Sequence, residues 1–311
     1  MSQASNERND TTNTGSWYPA SKDLHSGPIL AATDGSVAGE TAFRAASDIA
    51  SRVSAKVRVV VVVEPLPVLM PEPSVIMQPL VASPEVLNMT RDRVIAQLRE
   101  ISPGSIGIVD VEYGKPSAEI VAKARACDAQ LIVIGLVHHG VVDRILDGDT
   151  ALEVIRQSEV PVLLAAETLK ARPMKAVIAV DFSPQSMHAA RAALRLLGDG
   201  ATVLLAHVRP MPTIFDGAGV WEEEYDEAAG REMAKFAEEF ETPAGFQLRT
   251  AILQGNPANA LLKLADKEDA DLIAAGTRGA GFAHRMLVGS VATRLMRHTS
   301  RSILIVSDSK E

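Results

Sequence analysis

The chain repeats itself, and that constrains its fold more than any other feature it has. The segment PILAATDGS at Pro28–Ser36 matches KAVIAVDFS at Lys175–Ser183, which puts Asp34 and Asp181 in register. Each is followed by an alanine-rich helical pattern and then by an apolar run ending in proline, RVVVVVEP in one copy and TVLLAHVRP in the other. Farther on, YGKPSAEIVAKARACDAQLIVIG matches QGNPANALLKLADKEDADLIAAG, pairing Gly114 with Gly255 and Gly135 with Gly276. The ends match as well, SEVPVLLAA against TSRSILIVS.

Each copy reads as five short apolar runs separated by helical stretches. In the first copy they are Ile29–Thr33, Val57–Val63, Ile106–Glu112, Leu131–Gly135 and Pro161–Ala165. In the second they are Ala176–Val180, Thr202–Val208, Phe246–Leu253, Leu272–Gly276 and Ser302–Val306. Strands that are apolar without alternation belong to parallel sheets buried on both faces, and alternation with helices makes each copy a doubly wound α/β unit. A length of 311 residues suits two such units, and with only 4% aromatics the cores must be built from Val, Leu, Ile and Ala. Ser183-Pro184 supplies an N-cap and a first-turn proline, and Pro116 and Pro257 open matching helices. The expected division is a disordered polar tail over 1–26, a first domain over 27–167 and a second over 174–308. The short linker near Thr168–Pro173 makes the halves pack together.

Several functions are disfavoured by composition. A net charge of −8 argues against a nucleic-acid surface, which needs clustered cations. Nine acidic residues lie between Glu222 and Glu241, a pattern that reads as a solvated helix face. The single cysteine, Cys127, excludes an intramolecular disulfide and reads as a buried, inert thiol. No stretch spans a membrane: Pro65–Pro84 is apolar but holds six prolines. Its Val68, Leu69, Met70, Val75, Ile76 and Met77 cover the chain's own sheet edge or the other repeat, or receive a hydrophobic ligand. The first 26 residues lack a signal-peptide core, so a cytoplasmic location is expected.

The chemistry concentrates in the second copy, where a strand ends at Gly276 and the chain continues GTRGAGFAHRMLVGSVATRLMRH. Gly276, Gly279 and Gly289 are spaced by two and nine residues, and Ser290 follows. Glycines let backbone N–H groups approach anionic oxygens, and Gly289-Ser290 opens a helix whose N-terminus favours phosphate. Ser290 either caps that helix or bonds a phosphate oxygen; Arg278 and Arg285 are charged candidates beside it.

These residues resemble the universal stress protein family, whose ATP-binding members carry a Gly-x2-Gly-x9-Gly-Ser/Thr loop. The resemblance spans both halves. It implies two tandem five-stranded parallel-sheet domains of the adenine-nucleotide alpha-hydrolase-like type, with ATP, with or without Mg2+, across the carboxyl ends of the strands. Ala179, Val180 and Asp181 then approach the adenosine and Val208 the adenine. Gly276, Thr277, Arg278, Gly279, Gly289, Ser290 and Val291 meet the phosphates. Asp181 also reads as a turn residue bridging strand and helix. The family pairs such domains through their last strands, so Val162–Ala165 and Ile303–Val306 are expected to pair within this chain; a homodimer is also open.

The first copy departs from the pattern. His138 replaces the second glycine and Gly148-Asp149 replaces Gly-Ser, so a carboxylate is expected at that helix N-terminus, against phosphate. Asp34 survives, which leaves a bare nucleoside or another ligand open there. His138-His139 lacks further metal ligands, and no Walker, Rossmann, nucleophile-elbow or zinc-protease motif occurs. No catalytic residue stands out; Asp181 and His284 are only guesses at a general base. Two functions remain: a nucleotide-binding stress or regulatory module, and a slow ATP-hydrolysing or phosphotransfer enzyme using the same loop.

Overall fold

Ten strands form one sheet in the order β3-β2-β1-β4-β5-β10-β9-β6-β7-β8 in the computed structural model. The described residues are 27–65, 83–102, 104, 107–136, 144–209, 220–277 and 288–307, with backbone only at 144–149 and 220–223. The first half runs β1 (Ile29–Ala32), α1 (Val37–Val53), β2 (Val57–Val63), α2 (Pro84–Ile101), β3 (Ile108–Tyr113), α3 (Pro116–Ala126), β4 (Leu131–Gly135), α4 (Arg144–Gln157) and β5 (Val162–Ala165). The second runs β6 (Lys175–Ala179), α5 (Pro184–Leu194), β7 (Thr202–Arg209), α6 (Val220–Glu239), β8 (Gln247–Gln254), α7 (Pro257–Lys267), β9 (Leu272–Gly276), α8 (Ser290–His298) and β10 (Ser302–Val306). The tail before residue 27 and residues 66–82 of the proline-rich segment lie outside the described residues.

The inner strands form where β-branched and aliphatic residues can be covered on both faces. Leu30, Val59, Ile132, Val177, Val203 and Ile273 are all fully or almost fully buried. One core cluster takes residues from α1, α2, α5 and α6, and the other from α3, α4, α7 and α8, so each repeat is wound on both faces. Helix starts follow the sequence. Ser36 and Ser183 each accept a bond from the backbone N–H three residues on, and prolines open α3, α5 and α7.

The outermost strands depart from the expectation of burial on both faces. In β8, Gln247, Arg249, Thr250, Ile252 and Gln254 are exposed, and in β3 Ile108 is exposed. Each has a single neighbour, and charged side chains occupy these flanks, which discourages edge-to-edge pairing. Asp110 of β3 accepts from Arg58 at 2.5 and 3.0 Å, and Lys123 of α3 bridges to Asp110 and Glu112. Arg249 pairs with Glu268 on the other flank.

The two halves join through β5 and β10, which run antiparallel with Leu164 opposite Ile303 and Val162 opposite Ile305; every other neighbouring pair is parallel. The expected pairing of last strands therefore occurs within the chain. The buried Ser302 hydroxyl accepts from Ala166 N–H at 2.9 Å. Arg52 donates to the Leu196 and Leu197 carbonyls beyond α5, and Arg195 donates to Gln130. Among the described residues no helix is long and apolar enough to cross a membrane.

Candidate functional site

In the second repeat, β6 lies between β7 and β9, where the order of strands reverses. Pairing of β6 with β9 stops at Ile178–Ala274, whereas pairing with β7 continues through Ala179–Ala206 and the Val180 N–H bond to Ala206. β9 stays with β10 as far as Gly276–Val306, and Thr277 N–H still reaches Val306 O at 2.8 Å. The strands thus part at their carboxyl ends, the place where open α/β sheets take ligands. Ala179, Val180, Val208, Gly276 and Thr277 share that edge.

Thr277 is 4% exposed, and its buried hydroxyl has no hydrogen-bond partner among the described residues. Its carbonyl accepts from Gly289 N–H at 2.6 Å, which clamps the two ends of the intervening loop. Gly289 is the N-cap of α8, with φ −59° and ψ 153°, so the helix start receives no side-chain cap. Ser290 is the first helical residue and is exposed, which corrects its expected capping role. The cap position falls on the last extended residue, and that is the glycine. Val291 follows in the first turn, half-buried. Arg278 and Gly279, with Arg285 and His284, lie outside the described residues.

Asp181 takes part in the turn that starts α5: its Oδ1 accepts from the Ser183 N–H at 3.1 Å and from the Ser183 hydroxyl at 2.5 Å. Between them Phe182 sits at φ +63°, where the first repeat has Gly35 at φ +84°. A phenylalanine in this left-handed region is uncommon. Here its ring stacks on His207 with centroids 4.5 Å apart. His207 Nδ1–H donates to Val180 O at 2.8 Å, so in the neutral ring Nε2 accepts from the Tyr225 hydroxyl at 3.0 Å. This support for the β6 end went unread in the sequence. The signal was there, since the first copy has Gly35 and Val61 where the second has Phe182 and His207.

The first repeat holds an open cleft of about 410 Å3 at the carboxyl ends of β1, β2 and β4. Asp34 and Glu64 stand at it, with Ala32, Val60, Val62 and Ile134 among its apolar lining. Four lining residues, Thr293, Met296, Arg297 and Thr299, come from α8 and the residue after it in the other repeat. Sequence reasoning missed these, because it is the joining of the repeats, β5 with β10 and α4 with α8, that brings α8 there. A Cβ on Gly135 would meet Ala38 O at 1.9 Å, so that glycine serves the packing of α1 on β4.

Asp149 was expected at a helix N-terminus, but α4 begins at Arg144 and is 14 residues long, against 9 for α8. Nothing in Arg144-Ile145-Leu146-Asp147 breaks a helix, so a further turn forms and places Gly148-Asp149 inside it. His138 and His139 lie outside the described residues. Cys127 is half-buried with its thiol toward Ala124 O at 3.7 Å, and burial pushes the thiol pKa up, away from reactivity. The described residues contain no group of three or more His, Cys, Asp or Glu able to hold a metal ion.

The model of the universal stress protein family matches residues 26–166 and 174–307. A universal stress protein of Methanocaldococcus jannaschii is 31% identical over 147 residues, 44% of this chain and 84% of that protein. Another, from Thermus aquaticus, is 30% identical over 132 residues, 42% of this chain and 96% of that one. Over nearly the whole chain the fold is that of a universal stress protein from Archaeoglobus fulgidus, with a TM-score of 0.63 at 19% identity, covering 91% of this chain and 97% of the other. A functionally unknown protein from Pseudomonas aeruginosa gives 0.60 at 19% identity, covering 91% and 92%.

Proposed function

The chain belongs to the universal stress protein family as a tandem member, and on that premise we propose that it is an ATP-binding regulatory module of the stress response whose second repeat holds the nucleotide. The observation that carries this reading is that β6 and β9 part at their carboxyl ends beside Thr277, whose buried hydroxyl has no partner among the described residues, and beside a helix start that no side chain caps among those residues. A buried hydroxyl left unpaired costs about 1–3 kcal/mol, which a ligand oxygen recovers on binding. Ala179, Val180, Asp181 and Val208 would line the adenosine. Gly276, Thr277, Arg278, Gly279, Gly289, Ser290 and Val291 would hold the phosphates, with or without Mg2+. Backbone N–H groups and the α8 N-terminus are suited to that charge.

The other reading uses the same loop for slow ATP hydrolysis or phosphotransfer. Asp181, the carboxylate that follows β6, has Oδ1 engaged by the Ser183 N–H and hydroxyl, which favours binding over base catalysis. Calorimetry of the full chain should give close to one ATP per chain; two equivalent sites, or none, would overturn the proposal. Product analysis after prolonged incubation with ATP and magnesium separates the two readings, since a regulatory module returns ATP intact.

A further inference from the structure

We propose that the seam between the two repeats holds a small monovalent anion of the chloride class, bound by the Nε–H and Nη2–H groups of Arg52. Arg52 stands in the last turn of α1 and reaches into the second repeat, where its Nη1 donates to the Leu196 and Leu197 carbonyls at 2.9 and 3.2 Å. Those carbonyls lie just beyond α5, so one nitrogen of the guanidinium is committed to the end of that helix. Nε and Nη2 are buried too, and no acceptor among the described residues bonds either of them. On the planar guanidinium their N–H groups point the same way, a fork that closes on a single anion.

Arg52 lines a cavity of about 20 Å3 between α1, residues 166–173 and the end of α5. A water needs about 10–15 Å3 of such space, which limits the occupant to one water or an ion little larger. Water would satisfy the two N–H groups and leave the buried charge uncompensated. Burial is the largest influence on the guanidinium and lowers its pKa; Arg172 acts with it, and Asp48 and Asp199 act against it. An anion on the fork offsets that burial directly. Asp48 and Glu167 also line the cavity and repel further charge, so a monovalent anion is accommodated where a phosphate dianion is not. Arg44, Glu167 and Lys170 of the lining are exposed, which leaves the cavity open to ions from solvent. The site shares no residue with the cleft of the first repeat or with the candidate ATP site, so it stands or falls independently of both.

The test follows the melting temperature of the full chain at constant ionic strength while sodium gluconate, whose anion exceeds the cavity, is exchanged for sodium chloride. The melting temperature is expected to rise with chloride, as binding to the folded state alone requires, and bromide should act likewise. Arg52→Gln should abolish the rise. Wild-type crystals soaked in bromide should show an anomalous scatterer between Nε and Nη2 of Arg52, a readout that needs no variant. A wild type indifferent to chloride, a rise retained in Arg52→Gln, or a fork occupied by water or by the Asp48 carboxylate in the soaked crystals overturns the proposal. Should Arg52→Gln not fold, because the α5 carbonyls lose their donor, the bromide position decides.

Discussion

Thr277 and Gly289 touch each other at 2.6 Å yet make separable contributions. Replacing Thr277 by valine removes a buried hydroxyl that none of the described residues satisfies. Thr277→Val should therefore leave unfolding in the absence of ligand unchanged or slightly harder, while weakening ATP binding by about 1 kcal/mol, roughly fivefold. Denaturant unfolding and calorimetry on the same variant check both signs; a loss of stability with unchanged ATP affinity would mean the hydroxyl is structural. Gly289 has an ordinary φ of −59°, so a side chain enters there without backbone strain. Gly289→Val should cost more than about 2 kcal/mol of ATP affinity, around thirtyfold, with the melting temperature nearly unchanged and adenosine binding preserved. Ser290→Ala, which removes a single hydroxyl from the exposed first helical residue, should cost only about 1 kcal/mol. Full ATP affinity in the folded Gly289→Val protein would reduce the loop to a turn.

At the scale of elements, the sheet is held at its flank and its centre by different forces. On the flank, burial alone raises the Asp110 carboxyl pKa, but the Arg58 hydrogen bonds and the Lys123 ammonium hold it below the ordinary range. A depressed carboxylate adds stability that is complete above its unfolded pKa, about 3.9, and that disappears as pH falls through the lower folded value. Asp110→Asn should lower stability at neutral pH by about 1–2 kcal/mol and flatten the loss below about pH 4, as read from urea unfolding across a pH series. At the centre, Ser302 is fully buried and its hydroxyl satisfies the Ala166 N–H across the repeats. Ser302→Ala leaves that N–H unpaired and should cost about 1–3 kcal/mol, measured the same way.

For the molecule as a whole, β10 has a partner on each side only because β5 belongs to the same chain. A protein cut to residues 174–308 would expose that edge together with Ile303 and Ile305, both buried in the intact chain. Such a fragment should self-associate through β10, seen as a dimer in sedimentation; a monodisperse monomer would show that the edge has no intrinsic tendency to pair. Much of this architecture was legible beforehand. The repeat, the five apolar runs per copy and the proline-led helix starts determined two doubly wound units, because strand burial and helix capping are written in local residue patterns. The glycine spacing after β9 marked the candidate phosphate loop for the same local reason. Tertiary structure decided the rest. That α4 begins at Arg144, so that Asp149 lies within a helix, and that Gly289 rather than Ser290 caps α8, rests on how far the helical backbone runs, which the matching residue pairs Gly148-Asp149 and Gly289-Ser290 do not specify. The exposure of β8 follows from its place in the sheet, which no strand can encode alone. That Arg297 reaches a cleft in the other repeat, and that Thr277 is buried with no hydroxyl partner among the described residues, follows from contacts between segments far apart in sequence; the first of these exists only once the two halves have closed into one sheet.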